Sequence, residues 1–141
     1  MTATKTLHGT CVAWGDDAVL IIGASGQGKS ALALQLMALG CVLVADDRVI
    51  VQQDNSRLKA TCPPTIAGLI EAWGTGILTA ATQTKAYVVL VVDLDTDTTE
   101  RLPARQHTQI AGCAIPLISR VGGPHFAATI LQILKSGWSD R

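Results

Sequence analysis

A glycine-rich stretch at residues 23–30 carries the clearest chemical signal in this sequence, because it fits the pattern G-x-x-x-x-G-K-[ST] of a phosphate-binding loop. Its second and third glycines let the backbone adopt positive φ and turn its N–H groups towards an anion, and a Cβ there would block the phosphate. The lysine supplies a mobile charge for the β and γ phosphates, and the serine hydroxyl can bind Mg²⁺. The predicted nucleotide-binding residues are Gly23, Ala24, Ser25, Gly26, Gln27, Gly28, Lys29 and Ser30.

The segments on either side of this glycine-rich loop have the order that such a loop requires. Residues 18–22 form an apolar, β-branched run that predicts a buried strand, and residues 31–39 have the composition of a helix that ends at Gly40. The dipole of that helix would add positive potential where the phosphates bind. A chance glycine turn is the alternative, but the agreement of the loop with both flanking elements favours phosphate binding.

Phosphoryl transfer also needs a carboxylate near the metal and a group that activates the acceptor. Two positions compete for these roles: the adjacent pair Asp46 and Asp47, after a strand predicted at 41–45, and Asp93, at the end of the most β-prone run. Adjacent carboxylates repel each other unless a cation or a proton lies between them, which favours the pair as a site. One would hold Mg²⁺ while the other accepts the proton of an attacking hydroxyl. The structural alternatives are that Asp47 pairs with Arg48 or Asp46 caps a turn, and that Asp93 ends its strand at a simple turn.

The composition is that of one globular domain, which we place at residues 1–141. Apolar residues make up 48% of the chain, charged residues make up 16%, and the formal net charge is zero. This balance argues against a nucleic-acid protein and against a polybasic membrane binder. Neither a signal peptide nor a membrane span is apparent, so we expect a cytoplasmic protein whose four scattered cysteines stay reduced.

The remaining pattern predicts an α/β fold with a mixed sheet, because only two or three helices accompany six to eight short strands. A doubly wound sheet, with a helix after every strand, does not fit. We expect a hairpin of strands at 7–14 and 18–22, extended segments at 49–53 and 57–61, a helical turn at 65–70, a strand at 86–92, an acidic loop at 95–100, an edge strand at 114–118 and a closing amphipathic helix at 124–135.

Several motifs occur in an order and spacing that resemble one family. They are L-H-G at 7–9, the glycine-rich loop, L-V-A-D-D-R-V at 43–49, P-P at 63–64 and I-E-A-W-G-T-G-I at 70–77. Over residues 6–125 the chain resembles the catalytic domain of HPr kinase/phosphorylase. The resemblance implies an ATP-dependent, Mg²⁺-requiring serine kinase that acts on HPr, the small phosphocarrier of the sugar phosphotransferase system, often with a reverse phosphorolysis. It also implies a P-loop α/β domain related to the nucleotide-binding fold of phosphoenolpyruvate carboxykinase.

The resemblance also assigns roles to individual residues. His8 matches an active-site histidine, and Asp47 matches the acid that serves as general base in the kinase direction and general acid in reverse. Asp46 matches its acidic neighbour, which we place in both the catalytic and the metal-binding set, and Glu71 matches a glutamate of the metal site. Arg101 resembles an arginine that could stabilise the transferring phosphoryl group, although an exposed loop charge is an equal alternative.

The chain departs from the family at a few positions. Trp73 stands where an arginine is usual, Ala31 stands where an acid is usual, and the chain starts at the catalytic core, like the short forms of the family. Phosphorolysis, the identity of the phosphocarrier partner and assembly into a homo-oligomer therefore stay open. Two other functions compete: a small-molecule kinase, and a regulatory module that senses ATP without transferring phosphate.

Overall fold

The structure, a computed structural model, describes residues 4–140. That range contains ten strands, two α-helices and one 3-10 turn at Pro64–Ile66. In chain order the elements are β1 (Thr4–Trp14), β2 (Asp17–Ile22), α1 (Lys29–Ala38), β3 (Val42–Ala45), β4 (Arg48–Asp54), β5 (Arg57–Thr61), β6 (Leu69–Ala72), β7 (Gly76–Thr79), β8 (Ala86–Asp97), β9 (Gln106–Ile110), β10 (Cys113–Arg120) and α2 (Phe126–Ser136).

Strand β8 organises the main sheet, since it pairs in parallel with β2 and β10 and antiparallel with β5. Strand β1 pairs with β2 on one edge and with β3 and β4 on the other. Because β4 also pairs with β5, the strands β1, β2, β8, β5 and β4 close into a ring, and β10 and β9 extend the sheet from β8. The predicted α/β fold with a mixed sheet and hairpins is confirmed.

Two apolar clusters lie on opposite faces of this sheet, as the alternation of side chains along buried strands requires. One cluster joins side chains of the strand ring, among them Leu20, Val51 and Leu58. The other packs strand residues such as Ile21 and Leu90 against the two helices. This second cluster fixes α1 directly after β2, with the glycine-rich loop between them.

The helices predicted at 31–39 and 124–135 are confirmed with ends shifted by about two residues, whereas three local predictions were wrong. The helical turn at 65–70 is limited to Pro64–Ile66, because Gly68 has φ of 77° and the chain then extends into β6. The acidic loop at 95–100 begins later than predicted, since β8 continues to Asp97 beside β10.

The third error concerns the strand that contains Pro116. This strand, β10, lies between β8 and β9 and is not at the sheet edge. It accommodates the proline because pairing with β8 begins only at Leu117. The strand outside β10 is β9. It lacks the alternation of apolar and polar residues that predicts a strand, because its first four residues are all polar: Gln106, His107, Thr108 and Gln109.

Two expectations about chemistry and environment are also addressed by the structure. Cys11, Cys41, Cys62 and Cys113 are free thiols, as predicted, and all but Cys62 are buried. Neither helix in residues 4–140 has the length and apolar character needed to cross a membrane.

Candidate active site

The glycine-rich loop connects β2 to α1, as the sequence predicts. Gly23, Gly26 and Gly28 all have positive φ, at 153°, 87° and 93°. A Cβ added at Gly26 or Gly28 would meet no atom within 4 Å. The backbone conformation, and not crowding by protein atoms, therefore requires these glycines, and the space beside them is open to an anion.

Lys29 begins α1 and folds back over this loop. Its side chain is buried, and its Nζ donates hydrogen bonds to the carbonyl oxygens of Gly23, at 2.8 Å, and Ala24, at 3.2 Å. The ammonium group is thus held against the loop by the loop's own backbone. This places a fixed positive charge where the sequence predicts phosphate.

The acidic pair lies between β3 and β4, two strands that both pair with β1. Ala45 pairs with Cys11 before the acidic pair and Arg48 pairs with His8 after it. Asp47 has φ of 75°, a left-handed conformation that Asp tolerates better than most residues, and its carbonyl accepts a hydrogen bond from the Gly9 N–H. The two acids therefore face the L-H-G-T segment of β1.

Asp46 is buried and connects the acidic pair to the glycine-rich loop. Its Oδ1 accepts hydrogen bonds from Ser30 Oγ at 2.7 Å and from Thr10 Oγ1 at 2.8 Å. Its Oδ2 accepts one from the Glu71 backbone N–H at 3.0 Å. Three donors thus satisfy a carboxylate that would otherwise be costly to bury.

Asp47 points instead into an open cleft lined by residues 6–8 and by Arg48. Its Oδ1 lies 3.2 Å from His8 Nε2, and both side chains are more than half exposed. Its Oδ2 lies 3.9 Å from Arg48 Nε, so the pairing considered as a structural alternative is present but loose. The exposed carboxylate is accessible to a hydroxyl group from outside.

The structure places the other candidates differently. Glu71 reaches Asp46 only through its backbone N–H, and its exposed carboxylate makes no hydrogen bond or ion pair within the described residues. Arg101 is exposed between β8 and β9 and likewise has no polar partner in that range, so its role stays a prediction. Asp93 lies inside β8 and not at a turn, and its carboxylate accepts hydrogen bonds from the Asp95 N–H and the Thr96 hydroxyl.

Three polar residues of the site were missed by the sequence reasoning. Thr10 is fully buried against Asp46, and its only signal was its position directly after L-H-G. Asp95 accepts a hydrogen bond from the Ala24 N–H, whereas the sequence predicts it in an acidic loop. Arg120 donates to Gln27 O, and no motif marked it.

The donor set of the loop and the acidic pair fits a hard divalent cation. In residues 4–140 no three His, Cys, Asp or Glu side chains converge as a ready-made metal site. Mg²⁺, however, usually keeps several waters and takes only one or two protein oxygens together with substrate phosphates. The adjacent Ser30 hydroxyl and Asp46 carboxylate are oxygens of that kind.

The chain is a mixed α/β domain in which a glycine-rich loop with a buried lysine connects β2 to α1. The acidic pair is hydrogen-bonded to the first turn of that helix. The profile described as HPr Serine kinase C-terminal domain matches residues 1–119. The chain belongs to this family.

Comparisons with individual proteins agree with this assignment. The chain is 38% identical over 128 residues to HPr kinase/phosphorylase of Limosilactobacillus reuteri strain DSM 20016. The aligned region covers 82% of this chain and 40% of that protein. The chain is 36% identical over 121 residues to HPr kinase/phosphorylase of Bordetella petrii, covering 77% of this chain and 39% of that protein. The chain thus spans about two fifths of the length of these relatives.

A solved structure shares the fold over most of both chains. The Hpr(Ser) kinase/phosphatase from Coxiella burnetii superposes with a TM-score of 0.76 at 26% identity, covering 93% of this chain and 88% of that chain. The mixed sheet with its two packed helices is therefore the fold of this family.

Proposed function

We propose that this chain is an ATP-dependent, Mg²⁺-requiring protein-serine kinase domain of the cytoplasm that phosphorylates HPr or a paralogous phosphocarrier. The names of its relatives support the substrate class. The observation that carries the proposal is the 2.7 Å hydrogen bond from Ser30 Oγ to Asp46 Oδ1. This contact joins the glycine-rich loop to the acidic pair, which supports a single site for donor and acceptor.

The proposed reaction divides the labour between buried and exposed residues. Lys29 and the loop N–H groups bind the β and γ phosphates of ATP. Ser30 and Asp46 would hold Mg²⁺, which supplies charge neutralisation at the phosphates when bound. Asp47 accepts the proton of the serine hydroxyl while the serine oxygen forms a bond to the γ-phosphorus. The bond from that phosphorus to the β–γ bridging oxygen breaks, and ADP leaves.

His8 supports this step because it lies 3.2 Å from the Asp47 carboxylate and can orient it. In a reverse phosphorolysis, phosphate would take the phosphoryl group and Asp47 would return the proton to the serine oxygen. From the family resemblance we also propose that Glu71 contributes to the metal site. Arg101 would stabilise the transferring phosphoryl group.

The experiment is transfer of label from γ-labelled ATP to purified HPr, with HPr whose acceptor serine is replaced by alanine as the control. We expect label in the first protein only. Label in small metabolites but not in HPr would favour a small-molecule kinase. Tight ATP binding without transfer to HPr, a paralogue or a metabolite would favour an ATP-sensing regulatory module and overturn the kinase proposal.

A further inference from the structure

Two side chains from neighbouring strand ends reach the glycine-rich loop from the side opposite the acidic pair. Strands β2, β8 and β10 run parallel, so their carboxyl ends meet at one edge of the sheet. Ile22 pairs with Asp93, and the loop therefore leaves β2 beside the end of β8. Asp95 of β8 and Arg120, the last residue of β10, lie at this edge. We call these two residues the loop bracket.

The loop bracket holds both ends of one turn of the loop. The Ala24 N–H donates to both carboxylate oxygens of Asp95, at 2.9 and 3.1 Å. Arg120 Nη2 donates to the carbonyl oxygen of Gln27 at 2.7 Å and to its Oε1 at 3.2 Å. The turn itself is closed by the Gln27 N–H, which donates to Ala24 O at 3.2 Å. One bracket residue thus binds a backbone donor and the other a backbone acceptor.

The bracket is anchored in the sheet and its two members are connected. Arg120 also donates to the carbonyl oxygen of Leu94, from Nε at 3.3 Å and from Nη2 at 3.1 Å, directly before Asp95. Its Nε lies 3.8 Å from the Asp97 carboxylate. Gly23 fits closely here, because an added Cβ would lie 3.2 Å from Leu94 Cβ. The loop is therefore seated directly on β8.

A phosphate-binding loop gains affinity when its N–H groups already point inward, because ordering them on binding would cost free energy. Three glycines with positive φ make this loop costly to order, so contacts from outside must hold it. We infer that Asp95 and Arg120 pre-organise the glycine-rich loop and thereby set its affinity for nucleotide phosphates. This inference rests on the proposed function, since it concerns the same nucleotide site.

The positions of the charges suit this role. The Asp95 carboxylate would repel a polyphosphate if it stood alone. The guanidinium of Arg120, at the end of the neighbouring strand, binds the carbonyl oxygen of Leu94 directly before Asp95 and offsets that charge. Arg120 is a positioning residue here, because its contacts are with the loop and with β8. The bracket therefore affects nucleotide binding more than the chemical step.

The test compares ADP binding to the full chain and to the variants Asp95→Ala, Arg120→Met and Arg120→Lys by isothermal titration calorimetry. We expect the first two to weaken ADP binding about tenfold, as loss of charge-assisted hydrogen bonds does. The lysine variant should recover part of the affinity. The double variant should lose less than the product of the single losses, because the two residues belong to one network. Arg57→Met is the matched control, since Arg57 is on β5 and its guanidinium lies over the ring of Tyr87.

Two further readouts separate this role from a general loss of stability. The KM for ATP should rise in Asp95→Ala while kcat at saturating ATP stays within about twofold, and hydrogen exchange at the Ala24 amide should accelerate. Unchanged or tighter ADP binding in both Asp95→Ala and Arg120→Met would overturn the inference alone. Failure of the unsubstituted chain to bind any adenine nucleotide would overturn the inference and the proposed function together.

Discussion

Ser30 Oγ donates a hydrogen bond to Asp46 Oδ1 across 2.7 Å, which joins the first turn of α1 to the end of β3. The contact is possible because β3 and β2 both pair with β1, so that the loop and the acidic pair lie at one end of the sheet. The glycine-rich loop and the acidic pair, which are the two halves of the proposed site, are thereby brought together across 16 residues of sequence. Asp46 is the buried member of the pair and Asp47 the exposed member, which suits the different roles proposed for them.

Asp47→Asn tests the role of the exposed acid. Asparagine tolerates the left-handed backbone at φ of 75° as aspartate does, so the fold should be retained. Because the amide cannot accept the serine proton, we expect transfer to HPr to fall by about 10²–10⁴-fold while ADP affinity stays unchanged. The matched control is Asp16→Asn, in the turn between β1 and β2, which should retain transfer. Transfer by Asp47→Asn within about twofold of the parent chain would remove the proposed base.

Thr10 tests how strongly the buried acid depends on its donors. Thr10→Val keeps the side-chain shape but removes one of the two hydroxyls that donate to Asp46 Oδ1. A lost hydrogen bond to a charged group costs about 1.5–3 kcal/mol, so we expect lower stability and a higher Mg²⁺ requirement for transfer. Thr10→Ser retains the hydroxyl and should keep the parent Mg²⁺ requirement despite the lost methyl group. Identical Mg²⁺ titrations for the serine and valine variants would show that the hydroxyl does not position Asp46.

Gly9 tests the packing that places the acidic pair. A Cβ added at Gly9 would lie 2.9 Å from the carbonyl oxygen of Ile21, a backbone atom that cannot move aside alone. Because the Gly9 N–H also donates to Asp47 O, the shift would displace Asp47. We expect Gly9→Ala to lose about 1–3 kcal/mol in urea unfolding and to lower transfer as well. Gly122→Ala, where an added Cβ meets nothing within 4 Å, should change stability by less than about 0.5 kcal/mol.

The parts of this site that could be predicted from sequence are those with a local signal. The glycine-rich loop has a fixed pattern with fixed flanks, and the adjacent acids at a strand end are unusual because they repel each other. The sequence favours Asp46 over Asp93 through charge repulsion within the pair and through the family resemblance, but neither signal shows that Asp46 contacts Ser30. That contact depends on β3 pairing with β1, a non-local pairing that leaves no mark on either segment.

The missed residues share one physical cause. Thr10 and Asp95 act through hydrogen bonds to partners 36 and 71 residues away, and Arg120 reaches Gln27 across 93 residues. A polar residue in a strand has the same local pattern whether it faces solvent or a buried carboxylate. The sequence does not predict the hairpin of β6 and β7 for a similar reason. Only Ile70 is buried on it, and its alternation of apolar and polar residues is short.

Cys11 yields a prediction about pH. Burial raises the pKa of its thiol from 9.0 to about 12, because the charged thiolate would be desolvated among apolar side chains. The folded state thus holds this proton where the unfolded chain releases it. The stabilisation is complete below pH 9 and is lost as the pH rises towards 12, by about 1.4 kcal/mol per pH unit.

The measurement is urea unfolding of the parent chain and of Cys11→Ala at pH 8 and pH 10.5, under reducing conditions. The variant loses buried volume and starts less stable at pH 8, but it lacks the titrating thiol. We therefore expect the stability difference between the two proteins to shrink by about 2 kcal/mol at pH 10.5. The two proteins share every other ionisable side chain, so contributions other than that of Cys11 cancel in that difference. A stability difference that stays constant across this range would contradict the assignment of a raised pKa to Cys11.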